Sequence, residues 1–282
     1  PPEANHHDND GHGTHVAYLL LRLAKHADLR ICKVTNSRCI LDVDIQRIAE
    51  AIIHSSQKGD PRSEDHVDIL TLSFCFPRYD DVLRPIYHAI LKAQANGVII
   101  FAASGNECGD AGLSWPVSLY EMGNVIQISS SDGKGPPSGY NLRLDIGRWI
   151  CTLGQGVPSC QLQLGTEYPI YRSGSSLATP IAAAIAAIIL GIVDHAYSVL
   201  FPQDMIVLWS QLRTRLGMEK ILCETCTEVG HRSSSSPIAP WFFFQHTEVI
   251  QMQRIRNILS NIRDQEKAYI CQLYIYVLEM VA

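Results

Sequence analysis

The chain has no excess of basic residues. Its 23 lysines and arginines face 28 aspartates and glutamates, a net charge of −5 with histidine neutral. Nucleic acid, which is held chiefly by cationic patches, is therefore not an expected partner. A long apolar run is also missing. The longest, Ile181–Val193, has 13 residues and is rich in alanine, short of the ~20 that span a bilayer. It reads as a buried helix, and no membrane partner is expected. The nine cysteines are odd in number and irregular in spacing, which excludes a regular disulfide framework. Cys32 and Cys75 fall in apparent buried strands, where cysteine behaves as a small apolar residue, and the pattern points to a reducing, cytoplasmic setting. Cys223-Glu224-Thr225-Cys226 is a single Cys-x-x-Cys with no second pair, so neither zinc nor redox use is expected. The cluster His6, His7, Asp8, Asp10, His12 and His15 lacks His-Glu-x-x-His or any regular ligand spacing, and no metal site or other cofactor is expected. No complete carboxylate loop for calcium is evident. Pro1–Gly11 is polar and does not read as a signal peptide. No repeat recurs at a fixed period.

What is present is strand–helix alternation. With 282 residues and 46% hydrophobic content, the chain fits one domain of catalytic size plus an appendage. Val16–His26 is periodic and follows Asp10, a suitable N-cap. Leu29–Val34 reads as a strand, and Asp42–Lys58 carries one apolar helical face. Val67–Phe74 is β-rich. Asp80–Asn96 reads as a helix stopped by Gly97. Val98–Ala103 is continuously apolar, the mark of a parallel strand buried on both faces, and Val125–Ser129 is another short strand. This alternation predicts right-handed crossovers and a three-layer α/β domain, a mostly parallel sheet between helices. Ligand sites in such sheets lie beyond the carboxyl ends of the strands, where both Asn106 and Ser73–Cys75 fall. A helix over Leu208–Leu222 closes the domain at residues 1–222. Residues 223–240 read as a linker, and 241–282 as a helical tail with Ile255, Ile258, Leu259 and Ile262 on one stripe.

Three short stretches carry chemistry. Gly174-Ser175-Ser176-Leu177-Ala178-Thr179-Pro180 runs into the apolar stretch and puts a hydroxyl at a helix N-terminus, where free N–H groups favour developing negative charge. Gly11-His12-Gly13-Thr14-His15 offers a base at the start of another helix. Ala103-Ser104-Gly105-Asn106 ends a strand with an amide donor. Each has a plainer reading: small residues that permit packing, a capping or core histidine, a turn asparagine. Taken in order they supply the nucleophile, base and oxyanion donor of acyl transfer. His15 is assigned a structural role, because only one imidazole can face the serine.

These three motifs, in this order, resemble the subtilisin-like serine proteases. Four further segments extend the likeness over roughly residues 10–222: Ala27–Val34, Val67–Phe74, Trp115–Asp132 and Gly154–Val157. The resemblance implies peptide-bond hydrolysis of a polypeptide substrate, with Ser176 as nucleophile, His12 as general base and Asn106 as oxyanion donor. It places Ser73, Phe74 and Cys75 along the substrate strand, and Ala103, Ser104 and Gly105 in a wall of the specificity pocket. Ser175 replaces the family's usual threonine and Leu177 its methionine. Cys75 stands where glycine is common and would favour small substrate residues. The family's triad aspartate sits at the end of an earlier strand. Asp8 and Asp10 lie instead in the lead-in to His12, on the wrong side to orient its ring. The acid is therefore expected from a missing N-terminal segment or a partner chain that also completes the sheet. The alternative is a catalytically impaired pseudoprotease, a peptide-binding or interaction domain of a larger cytosolic protein.

Overall fold

The computed structural model describes residues 8, 10–35, 40–57, 66–106, 114–133, 137–141, 149–162, 167–199, 202–225, 235–238, 240–247 and 249–260. Five parallel strands form the central sheet in the order β1 (Ile69–Leu72), β2 (Ile99–Ala103), β3 (Ile126–Ser131), β4 (Trp149–Leu153) and β7 (Ser235–Pro237). Burial splits the residues of β2 between two cores. Ile99 and Phe101 join Ile126, Ile128 and Ile150 against α4 (Ser175–Val199), α5 (Pro202–Leu212) and α6 (Arg215–Thr225). Ile100 and Ala102 join α2 (Asp42–Ser55) and α3 (Arg84–Ala95) on the opposite face. A strand with apolar partners on both faces needs no polar alternation, which is why this run is continuous. The result is the expected three-layer α/β arrangement.

Two pieces stand outside the sheet and build the site. β5 (Val157–Leu162) and β6 (Pro169–Arg172) make an antiparallel pair, and β6 leads directly into α4. α1 (His12–Leu23) lies on β5 and on the start of α4, its Leu19 packed with Val157 and Leu177. The apolar run Ile181–Val193 is the middle of a 25-residue helix. By length and composition the window Ser175–His195, at mean hydropathy 2.3, could cross a membrane; here it is the central core helix.

Several elements differ from the sequence reading. Leu29–Val34 joins no ladder among the described residues, and Ile31 is 67% exposed. Apolar content makes a strand only where an unpaired edge adjoins it; this segment contributes just Val34 to the α2–α3 core. Cys32 and Cys75 are accordingly exposed, one in that segment and the other beyond the end of β1. The helix expected over Leu208–Leu222 is two. Thr214 Oγ1 accepts the N–H of Gly217 at 3.0 Å and starts α6, and Gly217 passes so close to α5 that a Cβ would lie 2.0 Å from the Gln211 carbonyl. Arg213, between the two helices, bonds Asp68 before β1 and Asp194 in α4, and covers the Trp209 ring at 4.3 Å. Within the segment read as linker, 235–237 adds β7 to the sheet beside β4. Beyond it, α7 (Trp241–Phe244) and α8 (249–260) put Phe243, Ile255 and Leu259 into the α4 core. His6, His7, Cys226, Ile262 and the rest of the tail lie outside the described residues.

Candidate active site

Ser176 is the second residue of α4, at the carboxyl ends of the parallel strands. Its Oγ lies 3.0 Å from His12 Nε2, across 164 residues of sequence. His12 opens α1, and the turn before it is held by Asp8. That carboxylate accepts the N–H groups of Gly11 (2.8 Å) and Thr14 (2.7 Å) and the Thr14 hydroxyl (2.9 Å). Asp8, rather than Asp10, is thus the cap of this helix. Gly11 at φ +75° bends the chain so that the residue three positions earlier reaches the free N–H groups. Burial alone would raise the Asp8 carboxyl, but the bonds from Thr14 and Gly11 together outweigh it and hold it below the ordinary aspartate value. Asp10 turns to Arg172, 3.4 Å away. Both carboxylates nearest His12 in sequence are therefore engaged away from its ring.

His15, one turn on, is fully buried and donates Nε2–H to the Pro158 carbonyl at 3.1 Å. Because a carbonyl can only accept, Nε2 carries the proton, and Nδ1 is the bare nitrogen. Burial lowers its pKa first; the hydrogen bond opposes this, and the nearby charges of Arg172 and His12 lower it further. It is a neutral buried imidazole that anchors α1 to β5.

Asn106 follows β2. Its Oδ1 accepts the Ser175 N–H at 2.7 Å and lies 3.1 Å from the Ser175 hydroxyl. An N–H can only be met by oxygen, so Nδ2 is the end left to donate into the cleft. Gly174 shows where. A Cβ there would lie 2.9 Å from Asn106 Nδ2 and 3.3 Å from Ser176 Oγ. The glycine leaves open a space that the Asn106 amide and the Ser176 hydroxyl share. The Ser176 N–H, near the start of α4, has no acceptor in the preceding turn among the described residues.

Sequence reasoning missed two supports. Ser175 is 1% exposed, and its hydroxyl accepts the Gly105 N–H (3.1 Å) and reaches the Gly105 carbonyl (3.0 Å). It fastens the end of β2 to the start of α4. Tyr140 is the other. Its hydroxyl donates to the Gly154 carbonyl at 3.0 Å and meets Ser130 Oγ at 2.6 Å. The same carbonyl accepts the Gly174 N–H at 2.8 Å, so a chain of bonds runs from β3 to the nucleophile turn. The only sequence signal for either was a small hydroxyl inside a motif and a tyrosine near glycines.

The expected substrate residues cluster at the same edge. Ser73–Cys75 continues β1 as Ala103–Gly105 ends β2, and a Cβ on Gly105 would meet Cys75 Sγ at 3.8 Å. Phe76 then pairs with Trp115 through two backbone bonds, closing this side. Among the described residues β1 is paired on one side only, and the hydroxyls of Thr71 and Ser73 have no partner. No group of three or more potential metal ligands occurs among the described residues.

A serine–histidine pair at the carboxyl ends of a parallel sheet is an arrangement found among α/β serine hydrolases. Within that class it matches the subtilase family over residues 1–208 and belongs to it. It is 30% identical over 200 residues to the subtilisin-like protease het-Q2 of Podospora anserina, covering 68% of this chain and 52% of that protein. Against the minor extracellular protease Epr of Bacillus subtilis the identity is 27%, over 66% of this chain and 27% of the other. The chain spans about half or less of the curated relatives it matches. In fold it resembles a lanthipeptide protease (TM-score 0.57, 14% identity, 83% of this chain and 74% of the other). The prenylagaramide maturation protease PagA is also similar (TM-score 0.50, 21% identity, 77% and 72% covered).

Proposed function

We propose that the chain is the peptidase unit of a serine endopeptidase acting on polypeptides. The observation that carries this reading is the 3.0 Å contact between Ser176 Oγ and His12 Nε2, within reach for proton transfer. As Oγ bonds to the peptide carbonyl carbon, its proton passes to Nε2. The carbonyl oxygen takes the negative charge and is held by Asn106 Nδ2 and the Ser176 N–H. The proton then goes to the leaving amine, the C–N bond breaks, and water releases the acyl group from Ser176. Ser73–Cys75 and Ala103–Gly105 flank the acyl side of the extended substrate, with Cys75 narrowing the pocket beside Gly105.

The third member of the triad is a carboxylate behind the imidazole. Asp8 and Asp10 are engaged elsewhere, and the resemblance puts the acid at the end of a further strand. The edge of β1 that has no partner among the described residues is where such a strand would pair, from this polypeptide or from a partner. Without it the same geometry supports the second reading, a peptide-binding pseudoprotease, favoured by the engagement of both nearby carboxylates.

A fluorophosphonate probe separates the two. Labelling that disappears in Ser176→Ala and in His12→Ala is expected. An unlabelled chain that still binds peptide would establish the pseudoprotease.

A further inference from the structure

The base and the nucleophile are joined by a short route that bypasses the sheet. Arg172 ends β6, four positions before Ser176, and its guanidinium reaches back to the segment before α1. Nη2 donates to the Asp10 backbone carbonyl at 2.6 Å, and Nη1 lies 3.4 Å from the Asp10 carboxylate. Asp10 is two positions before His12. Arg172 is 30% exposed and Asp10 32%, so the clasp is half-sheltered, where a charge-assisted bond to a carbonyl exceeds an ordinary surface pair.

Two other contacts press the same helix onto the same hairpin. His15 Nε2 holds the Pro158 carbonyl of β5. The Gln161 amide fills the space beside Gly11, where a Cβ would be within 3 Å of three of its atoms. These contacts set how close α1 lies to β5 and β6. They leave open how far its first turn advances toward Ser176. Asp8 holds that turn from within its own segment, and among the described residues Arg172 is the side chain that hydrogen-bonds it from the hairpin.

We propose that Arg172 is a positioning residue for the reaction at Ser176. By holding the Asp10 carbonyl it fixes the approach to α1, and with it the distance from His12 Nε2 to Ser176 Oγ. The inference rests on the assignment of those two residues. The acceptor that matters is backbone, so the two ends of the ion pair are unequal. Loss of the Asp10 side chain leaves the main bond intact, whereas loss of the guanidinium removes it. An ordinary salt bridge would be equally sensitive at both ends.

Labelling rates with a fluorophosphonate are compared for the unaltered chain, Asp10→Ala, Arg172→Lys, Arg172→Gln and Arg172→Ala. Displacing a catalytic group by ~1 Å costs about 100-fold, so Arg172→Ala should label about 10- to 100-fold more slowly. Asp10→Ala should stay within about 3-fold of the unaltered chain on the same scale. Arg172→Lys, which can still reach the carbonyl, should fall between. Equal losses for Asp10→Ala and Arg172→Ala, or none for either, would overturn the proposal.

A second readout needs no turnover. Ser176→Ala removes the hydrogen bond to His12 and shifts its ring Cε1–H resonance. In an Arg172→Gln background, folded as judged by its dispersed spectrum, the same replacement should shift that signal by less than about half as much. An undiminished shift would overturn the role of Arg172. A chain that fails to label would count against the peptidase reading alone, and the resonance shift would still decide this one.

Discussion

Asp8 and Asp10 show how little sequence distance says about a carboxylate's task. They stand two positions apart, and one caps a helix while the other receives a guanidinium. The capping role predicts an acid sensitivity. The folded Asp8 has a lowered pKa, so its contribution to stability is complete above about pH 4. That contribution is lost as pH falls through the lower native value. Asp8→Ala should cost about 0.5–1 kcal/mol in urea unfolding at pH 7, the lower part of the range for caps because the site is exposed. The difference from the unaltered chain should shrink as the pH is lowered below about 4; a constant difference would remove the carboxylate from the explanation. That His12, Asn106 and Ser176 belong together was legible because each lies in a short motif. Arg172, Ser175 and Tyr140 were not, because each acts on a partner supplied by another segment: Asp10, Gly105 and Gly154.

At the scale of elements, the start of α4 joins what three strands deliver. β2 brings Asn106, β6 brings Gly174, and the Gly154 carbonyl after β4 fixes Gly174 in place. The open space at Gly174 is therefore a property of the junction, and filling it tests the junction. Gly174→Ala puts a methyl group between Asn106 Nδ2 and Ser176 Oγ. Labelling should fall by about 100-fold, the cost of losing one oxyanion donor, with a near-unchanged circular dichroism spectrum. A variant that labels at the original rate would mean the oxyanion lies elsewhere. Continuous apolar runs such as Val98–Ala103 announced their elements plainly. Leu29–Val34, interrupted by Arg30 and Lys33, also reads as a strand but joins no sheet among the described residues, since pairing depends on an available edge that local composition does not encode.

For the whole molecule, the surprise is the far end of the described chain. α7 and α8 lie past the segment read as a linker, yet Phe243, Ile255 and Leu259 are completely buried in the core that backs α4. An amphipathic stripe in sequence tells that a helix will pack, and leaves open on what. Here it packs on the layer that carries Ser176. Leu259→Ala should therefore cost about 2–5 kcal/mol, seen as one cooperative transition with earlier loss of labelling on heating. A separate, low-temperature transition of the tail alone would show it to be an independent appendage.

The hydrogen bond between His12 and Ser176 spans nearly the whole catalytic layer of the chain. A polypeptide emerging in order from a ribosome exposes the imidazole first and the hydroxyl some 160 residues later, after every strand of the sheet except β7. No shorter fragment holds both. A chain caught half-made, or shaken open by heat, carries an ordinary serine and an ordinary histidine. The contact between Ser176 and His12 is in this sense a certificate of folding, issued only once the β5–β6 hairpin has docked against α1.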